Sequence, residues 1–194
     1  MEKIADIRRR EILESYYQVI SKKGIEGSSI AKIAKLMGVQ PSLITHYFKT
    51  KDEMTMGLVD FILEKYEEPY FYGISDAADY EKRFHLFLDG LFGLDRIRFV
   101  DAGAFYSCYC LTFRNPKIRE RFGGMYDRFR TLLIKELTLY MNNGVIGKID
   151  VTNTANAIMS LMEGLAYFER MLDAREYRNL CRSMKETVLR LVGR

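Results

Sequence analysis

Ser28-Ser29-Ile30-Ala31-Lys32-Ile33-Ala34-Lys35-Leu36-Met37-Gly38-Val39-Gln40-Pro41-Ser42-Leu43-Ile44-Thr45-His46-Tyr47-Phe48 reads as two short helices joined by a tight glycine turn. Ser28 or Ser29 offers a cap to the first, Ile30 to Met37, because a hydroxyl there satisfies a backbone N–H that has no helical partner. Ile30, Ile33 and Ala34 fall on its inner side and Lys32 and Lys35 on its outer side. Gly38 stops it. After Val39, Gln40-Pro41 announces the second helix, with proline at the first position, where its missing donor costs nothing. Ile33, Ala34, Val39, Ile44 and Phe48 supply an apolar brace, leaving Gln40, Ser42, Leu43, Thr45, His46 and Tyr47 on the outward face or its borders. A short helix braced from behind and exposed on one face suits the major groove of DNA, which is about 12 Å wide and admits one helix.

Working outward, Ile12, Tyr16, Val19 and Ile20 mark an amphipathic helix over Ile7 to Lys23, stopped by Gly24. On the other side, Thr50 caps a helix with Asp52 and Glu53 in its first turn, running towards Tyr66 and closed by Pro69. The principal boundary is expected near residues 68–78, giving a reading unit at 1–50, a connecting helix at 51–72 and a body at 73–194. The body carries helical patterns over Tyr80 to Leu94, Arg98 to Arg114, Pro116 to about Asn142, Asp150 to about Asp173, and Glu176 to Val192. The second of these is apolar nearly all round and is expected at the centre of the core.

Composition agrees with an all-α fold of about nine helices: the 194 residues are 48% apolar and include only three prolines. The net charge of +4 is uneven. Residues 1–51 hold ten Lys/Arg against five Asp/Glu, so the remaining 20 against 21 leave the body at −1. A basic segment joined to a near-neutral body suits a polyanion at the N-terminal end. The uncharged runs Ala102 to Phe113 and Val151 to Met162 reach 12 residues, short of the roughly 20 that a spanning helix needs. No membrane span is expected. Met1-Glu2-Lys3-Ile4-Ala5-Asp6 lacks an apolar signal core, so the expected location is cytoplasmic. Cys108, Cys110 and Cys181 read as buried thiols. His46 and His85 stand at no metal-ligand spacing, so neither metal nor cofactor is expected.

The stretches Ser28-Ser29-Ile30-Ala31-Lys32-Ile33-Ala34, Gly38-Val39, Ile44-Thr45-His46-Tyr47-Phe48 and Lys51-Asp52-Glu53-Met54 resemble the TetR family of bacterial transcription regulators. At motif level the resemblance covers about residues 6–55. Elsewhere it rests on length and helix count. It departs at Met37, where alanine is usual, at Gln40, where serine is usual, and at Thr45, where tyrosine is usual, which bears on which bases are read. Ile44 to Phe48 also resembles the choline-responsive repressors of betaine synthesis, a sub-family likeness.

The resemblance implies Ser28 and Ser29 at a phosphate, Gln40, Ser42, Thr45 and His46 near bases with Pro41 at the head of their helix, the Tyr47 hydroxyl on a phosphate, and Lys51 on the DNA backbone. Arg8, Arg9 and Arg10 are either further phosphate contacts or a solvated helix start. Tyr47 has the alternative of packing on the first helix, and His46 that of an ordinary surface histidine. The resemblance also implies an effector cavity in the body, for which the candidates are Phe87, Phe105, Tyr106, Tyr109, Phe113, Met125, Phe129, Met159, Met162 and Glu163. Most of these equally suit a plain core. Glu163 either holds a cation among aromatics or ends the polar stripe Asn153, Asn156, Ser160, Glu163.

Surplus apolar surface on the last two helices suits a two-fold dimer, which the family and a palindromic operator both imply. Its expected contacts are Tyr177, Leu180, Met184, Val188 and Leu191, the alternative being internal packing of both faces. The expected function is therefore a homodimeric, ligand-responsive regulator of double-stranded DNA, a repressor released by a small hydrophobic or cationic effector. It is not expected to be an enzyme. The rivals are a protein-interaction module that has lost DNA binding and a helical small-molecule enzyme, for which the acids and bases of a catalytic cleft are lacking.

Overall fold

The computed structural model describes residues 4–72, 79–93 and 100–194. The elements among them are α1 (Ile4–Lys23), α2 (Ile30–Met37), α3 (Pro41–Tyr47), α4 (Lys51–Tyr72), α5 (Tyr80–Phe92), α6 (Ala102–Tyr109), a 3-10 turn (Cys110–Phe113), α7 (Pro116–Asn142), α8 (Val151–Phe168) and α9 (Ala174–Leu191). The described residues are thus all-α, with nine α-helices. None of these helices is long and apolar enough to cross a membrane. The part of the expected boundary at 73–78 and the expected helix start at Arg98 lie outside the described residues.

Packing divides the chain into two compact units, Met1–Glu68 with Arg98–Met125, and Pro69–Ile97 with Tyr126–Arg194. In the first, α1 packs against α2, α3 and α6. Its core gathers Ile12, Tyr16 and Ile20 from α1, Ile33, Ile44 and Phe48 from the helix pair, Leu58 and Ile62 from α4, and Phe105, Ile118 and Phe122. Full burial of such a side chain contributes about 1.5–3 kcal/mol, so the short helices are held by this core rather than by their own propensity. The Tyr17 hydroxyl accepts the Asp101 N–H at 2.6 Å, tying α1 to the head of α6. In the second unit, Phe84, Phe87 and Leu88 of α5 meet Leu133, Leu137 and Tyr140 of α7, Ile158, Met162 and Leu165 of α8, and Cys181 and Val188 of α9.

Side-chain caps set most helix starts. Ser29, Asp79, Asp101, Asp150 and Asp173 accept backbone N–H groups at the starts of α2, α5, α6, α8 and α9. Asp173, expected at the end of α8, instead opens α9 in a capping box with Glu176, and α8 stops at Phe168. Two further expectations are corrected. Pro69 does not close α4, which continues to Tyr72. The helix expected over Arg98 to Arg114 is not continuous. It tightens after Tyr109 into the 3-10 turn, and among its described residues only the stripe of Ala104, Phe105, Cys108 and Thr112 is buried.

The thiols follow from that geometry. Cys108 and Cys181 are buried, but Cys110 is exposed, because residues two apart on a helix point to different sides.

Candidate nucleic-acid interface

The turn between α1 and α2 is built by serines with different tasks. The Ser29 hydroxyl accepts the Lys32 N–H at 3.2 Å and caps α2. Ser28, expected at a phosphate, is turned inward instead: it is buried, and its hydroxyl donates to the Ile25 carbonyl at 2.6 Å. Lys32 is likewise engaged, its ammonium donating to the Gly27 carbonyl. At the other end of α2, Gly38 takes φ +68°, the left-handed conformation that reverses the chain. The Val39 N–H then returns to the Ala34 carbonyl at 3.0 Å.

This turn delivers α3 with Pro41 in its first turn and with Gln40 as a cap residue whose side chain makes no capping bond. Gln40, Pro41, Ser42, Thr45 and His46 are exposed along one face, and Ile44 and Phe48 are fully buried on the other. Leu43, Tyr47 and Val39 lie half-buried at the borders. The Thr45 hydroxyl donates to the Ser42 carbonyl at 3.1 Å, and the rings of His46 and Tyr47 meet edge to face at 5.1 Å. Lys51, in the first turn of α4, is exposed. An exposed row of amide, hydroxyl and imidazole groups on a helix braced from behind presents donors and acceptors to base edges.

Three side chains join α1, α3 and α4 behind this face, and neither Arg9 nor Glu53 was given this task by the sequence. The Arg9 guanidinium donates to the Tyr47 carbonyl and to Glu53 Oε1 at 3.0 Å, and lies 4.2 Å from the centre of the Phe48 ring. Glu53 Oε2 accepts the Lys49 N–H at 2.9 Å. That backbone bond, with Arg9, holds the Glu53 carboxyl below the usual carboxylate range. Arg8 pairs with Glu11 on the same helix at 2.6 Å.

The expected effector residues fall in both units. In the first, Phe105 stacks on Tyr66 at 4.9 Å and meets Tyr106 and Phe122 edge to face, and Phe122 also meets Tyr109. Met125 is fully buried, but Phe113, expected on a cavity wall, is 72% exposed because it ends the 3-10 turn. In the second unit, Phe87, Phe129 and Met162 belong to the core, with Met159 and Glu163 half-buried. Asn153, Asn156 and Ser160 of the polar stripe are exposed. A surface cleft of about 370 Å³ in the first unit involves none of these candidates; Ile25, Lys51, Thr55, Leu111, Arg114 and Ile118 are on its walls.

Of the expected dimer residues, Val188 is corrected: it is fully buried in the chain's own core. Tyr177, Leu180 and Met184 are half-buried, while Leu191 is 45% exposed. The larger exposed apolar side chains nearby are Tyr167 and Met171, at 56% and 61%.

Two family models match the chain. One described as "Bacterial regulatory proteins, tetR family" covers residues 12–55, and one described as "Tetracyclin repressor-like, C-terminal domain" covers residues 79–193. Among curated relatives, the nucleoid occlusion factor SlmA of Vibrio cholerae is 30% identical over 138 residues, a match spanning 65% of this chain and 64% of that protein, less than two thirds of its length. A TetR-family transcriptional regulator of Cytophaga hutchinsonii has the same fold, with a TM-score of 0.83 at 16% identity over 100% of this chain and 99% of its own. A transcriptional regulator of Saccharomonospora viridis, solved in complex with choline, gives 0.77 at 20% identity over 94% and 93%. With its helix-turn-helix and its C-terminal body both matched, the chain belongs to the tetR family of bacterial regulatory proteins, which are DNA-binding transcription regulators and not enzymes.

Proposed function

We propose that the chain is a homodimeric, ligand-responsive repressor that leaves a palindromic operator when a small hydrophobic or cationic effector binds. The observation that carries this reading is α3, whose buried Ile44 and Phe48 brace an exposed row of Gln40, Pro41, Ser42, Thr45 and His46. In the proposed complex Gln40, Ser42, Thr45 and His46 meet base edges, while Ser29, Tyr47 and Lys51 hold the phosphate backbone. The exposed Tyr167, Phe168, Met171 and Leu191 support a second copy as partner, since surplus apolar surface on helices is covered by another subunit. Residues 1–50 are proposed as the reading domain, 51–72 as the connecting helix and 73–194 as the effector and dimerisation domain.

The ring cluster of Phe105, Tyr106 and Tyr109 supports an aromatic-lined effector site, and the choline bound to the Saccharomonospora viridis regulator supports a quaternary amine as the first compound to screen. Effector and DNA oppose one another by linkage, through the separation of two recognition helices that must match one turn of DNA, about 34 Å. The likeness to nucleoid occlusion factors supports a second reading, a DNA-bound protein that acts in nucleoid occlusion.

Selection of bound fragments from sheared genomic DNA at two salt concentrations tests both. Recovery of one palindromic site, with binding lost in Tyr47→Ala and Lys51→Ala, is the expected result. Many dispersed sites favour the second reading. Failure of the folded dimer to enrich any fragment, with or without cell extract, overturns both.

A further inference from the structure

Arg9 stands in a run of three arginines at the start of α1, beside a DNA-reading helix, where a basic side chain ordinarily meets phosphate or water. Its guanidinium is turned the other way. It donates to the carbonyl of Tyr47, the last residue of α3, and to the carboxylate of Glu53 at 3.0 Å, and it covers the ring of Phe48 at 4.2 Å. Glu53 uses its second oxygen on the Lys49 N–H at 2.9 Å. These contacts close the end of α3, the connection at residues 48–50 and the first turn of α4 onto α1.

α3 has seven residues, too few to hold its own direction. Its last carbonyls have no helical donor, and a cation at that end opposes the negative pole of the helix. Phe48 anchors the same end from below. A helix of this length spans about 10 Å, so a tilt of about 10° displaces its far end by about 2 Å, enough to undo a base contact that needs 2.7–3.2 Å.

We infer that Arg9 and Glu53 form a clasp that sets the direction of the recognition helix, so that Arg9 governs base discrimination as a positioning residue and not as a phosphate contact. This rests on the DNA-binding reading above. A phosphate contact and a clasp make opposite predictions for Glu53. Removing its carboxylate frees Arg9 for phosphate and preserves or raises affinity in the first case; in the second it opens the clasp and lowers affinity.

The test compares wild type, Arg9→Met, Glu53→Ala and the double variant on two duplexes, one recovered from the genomic selection and one of equal length and random sequence. Circular dichroism first shows that each variant is folded. The clasp predicts about tenfold or greater loss on the selected duplex for each single variant, little further loss in the double, and unchanged binding to the random duplex. The slope of log affinity against log salt stays at the wild-type value. A slope reduced by about 0.9 in Arg9→Met, or undiminished affinity in Glu53→Ala, overturns the clasp in favour of a phosphate contact. Where Arg9→Met is too unstable, Arg9→Lys serves: it keeps the charge a phosphate wants and loses the fork the clasp needs, so retained affinity overturns the proposal. Amide hydrogen exchange without DNA decides separately. Faster exchange at Phe48 and Lys49 in folded Arg9→Met is expected, and unchanged exchange overturns the clasp even if no operator is ever recovered.

Discussion

The guanidinium of Arg83 on α5 faces the carboxylate of Glu136 on α7 through two bonds, Nη2 to Oε1 at 2.6 Å and Nε to Oε2 at 3.1 Å. Tyr140 donates its hydroxyl to the same Oε2 at 2.8 Å. The Glu136 side chain is 3% exposed and that of Arg83 16%, so the pair is fixed in a low-dielectric setting. Burial and the neighbouring carboxylate push the Tyr140 phenol well above its ordinary range. Removing one partner strands the other: Glu136→Leu is expected to cost about 3–5 kcal/mol, and Arg83→Met combined with Glu136→Leu to recover part of that loss, the Tyr140 hydroxyl still lacking its acceptor. Urea denaturation of the singles and the double at fixed protein concentration measures it. A double variant as unstable as the single contradicts the expectation.

Gly38 is open to a substitution that separates backbone strain from crowding. Its φ is +68°, and a Cβ added there meets nothing within 4 Å. Gly38→Ala is therefore expected to cost about 1–2 kcal/mol from conformation alone. Thermal melting of the two proteins checks this, and an unchanged or raised Tm would show that the turn between α2 and α3 relaxes to another conformation.

The three thiols are expected to differ sharply in reactivity. Cys110 is exposed, whereas burial pushes Cys108 up to about 12 and so leaves it almost without thiolate at neutral pH. A chromogenic disulfide reagent at pH 7.5 should consume one thiol promptly in the native protein and three after denaturation. Cys110→Ser should abolish the prompt phase; a prompt phase that survives it would mean that Cys108 or Cys181 opens to solvent.

Acid should loosen the clasp. The Lys49 N–H and then Arg9 hold the Glu53 carboxyl below its ordinary value of 4.5, so its ionised form favours the folded state. The stabilisation is complete above the unfolded value and disappears as pH falls through the folded one. The gap in Tm between wild type and Glu53→Gln is thus expected to be open at pH 7 and to close below about pH 4.5. A gap that widens on acidification would reverse the assigned direction.

Signals local in sequence were the ones the chain made readable. The Gly38 turn, Pro41 at a helix start and the inward spacing of Ile33, Ala34 and Ile44 are all decided within a few residues, and α2 has the bounds its sequence implied. The inward serine was not separable from the capping one, since Ser28 and Ser29 carry the same group and only the path of the chain assigns them. Arg9 and Glu53 are 44 residues apart, and nothing in a run of arginines distinguishes a free guanidinium from one engaged by a distant carboxylate. Glu136 left a faint signal, a carboxylate four residues before Tyr140 and between Leu133 and Leu137 on an apolar face, but its partner Arg83 lies 53 residues away. Val188 shows a different limit: periodicity finds an apolar stripe without saying whether the same chain or another covers it.

The unit that contains the helix-turn-helix is assembled from two stretches, Met1–Glu68 and Arg98–Met125. During synthesis at roughly 5–20 residues per second, the first stretch leaves the ribosome several seconds before the second. Over that interval the side chains destined to meet Phe105, Ile118 and Phe122 have no partner, so nascent chains expose an apolar surface that the finished molecule hides. The order of synthesis thus places the closing of this unit's core late, once residue 125 has been added.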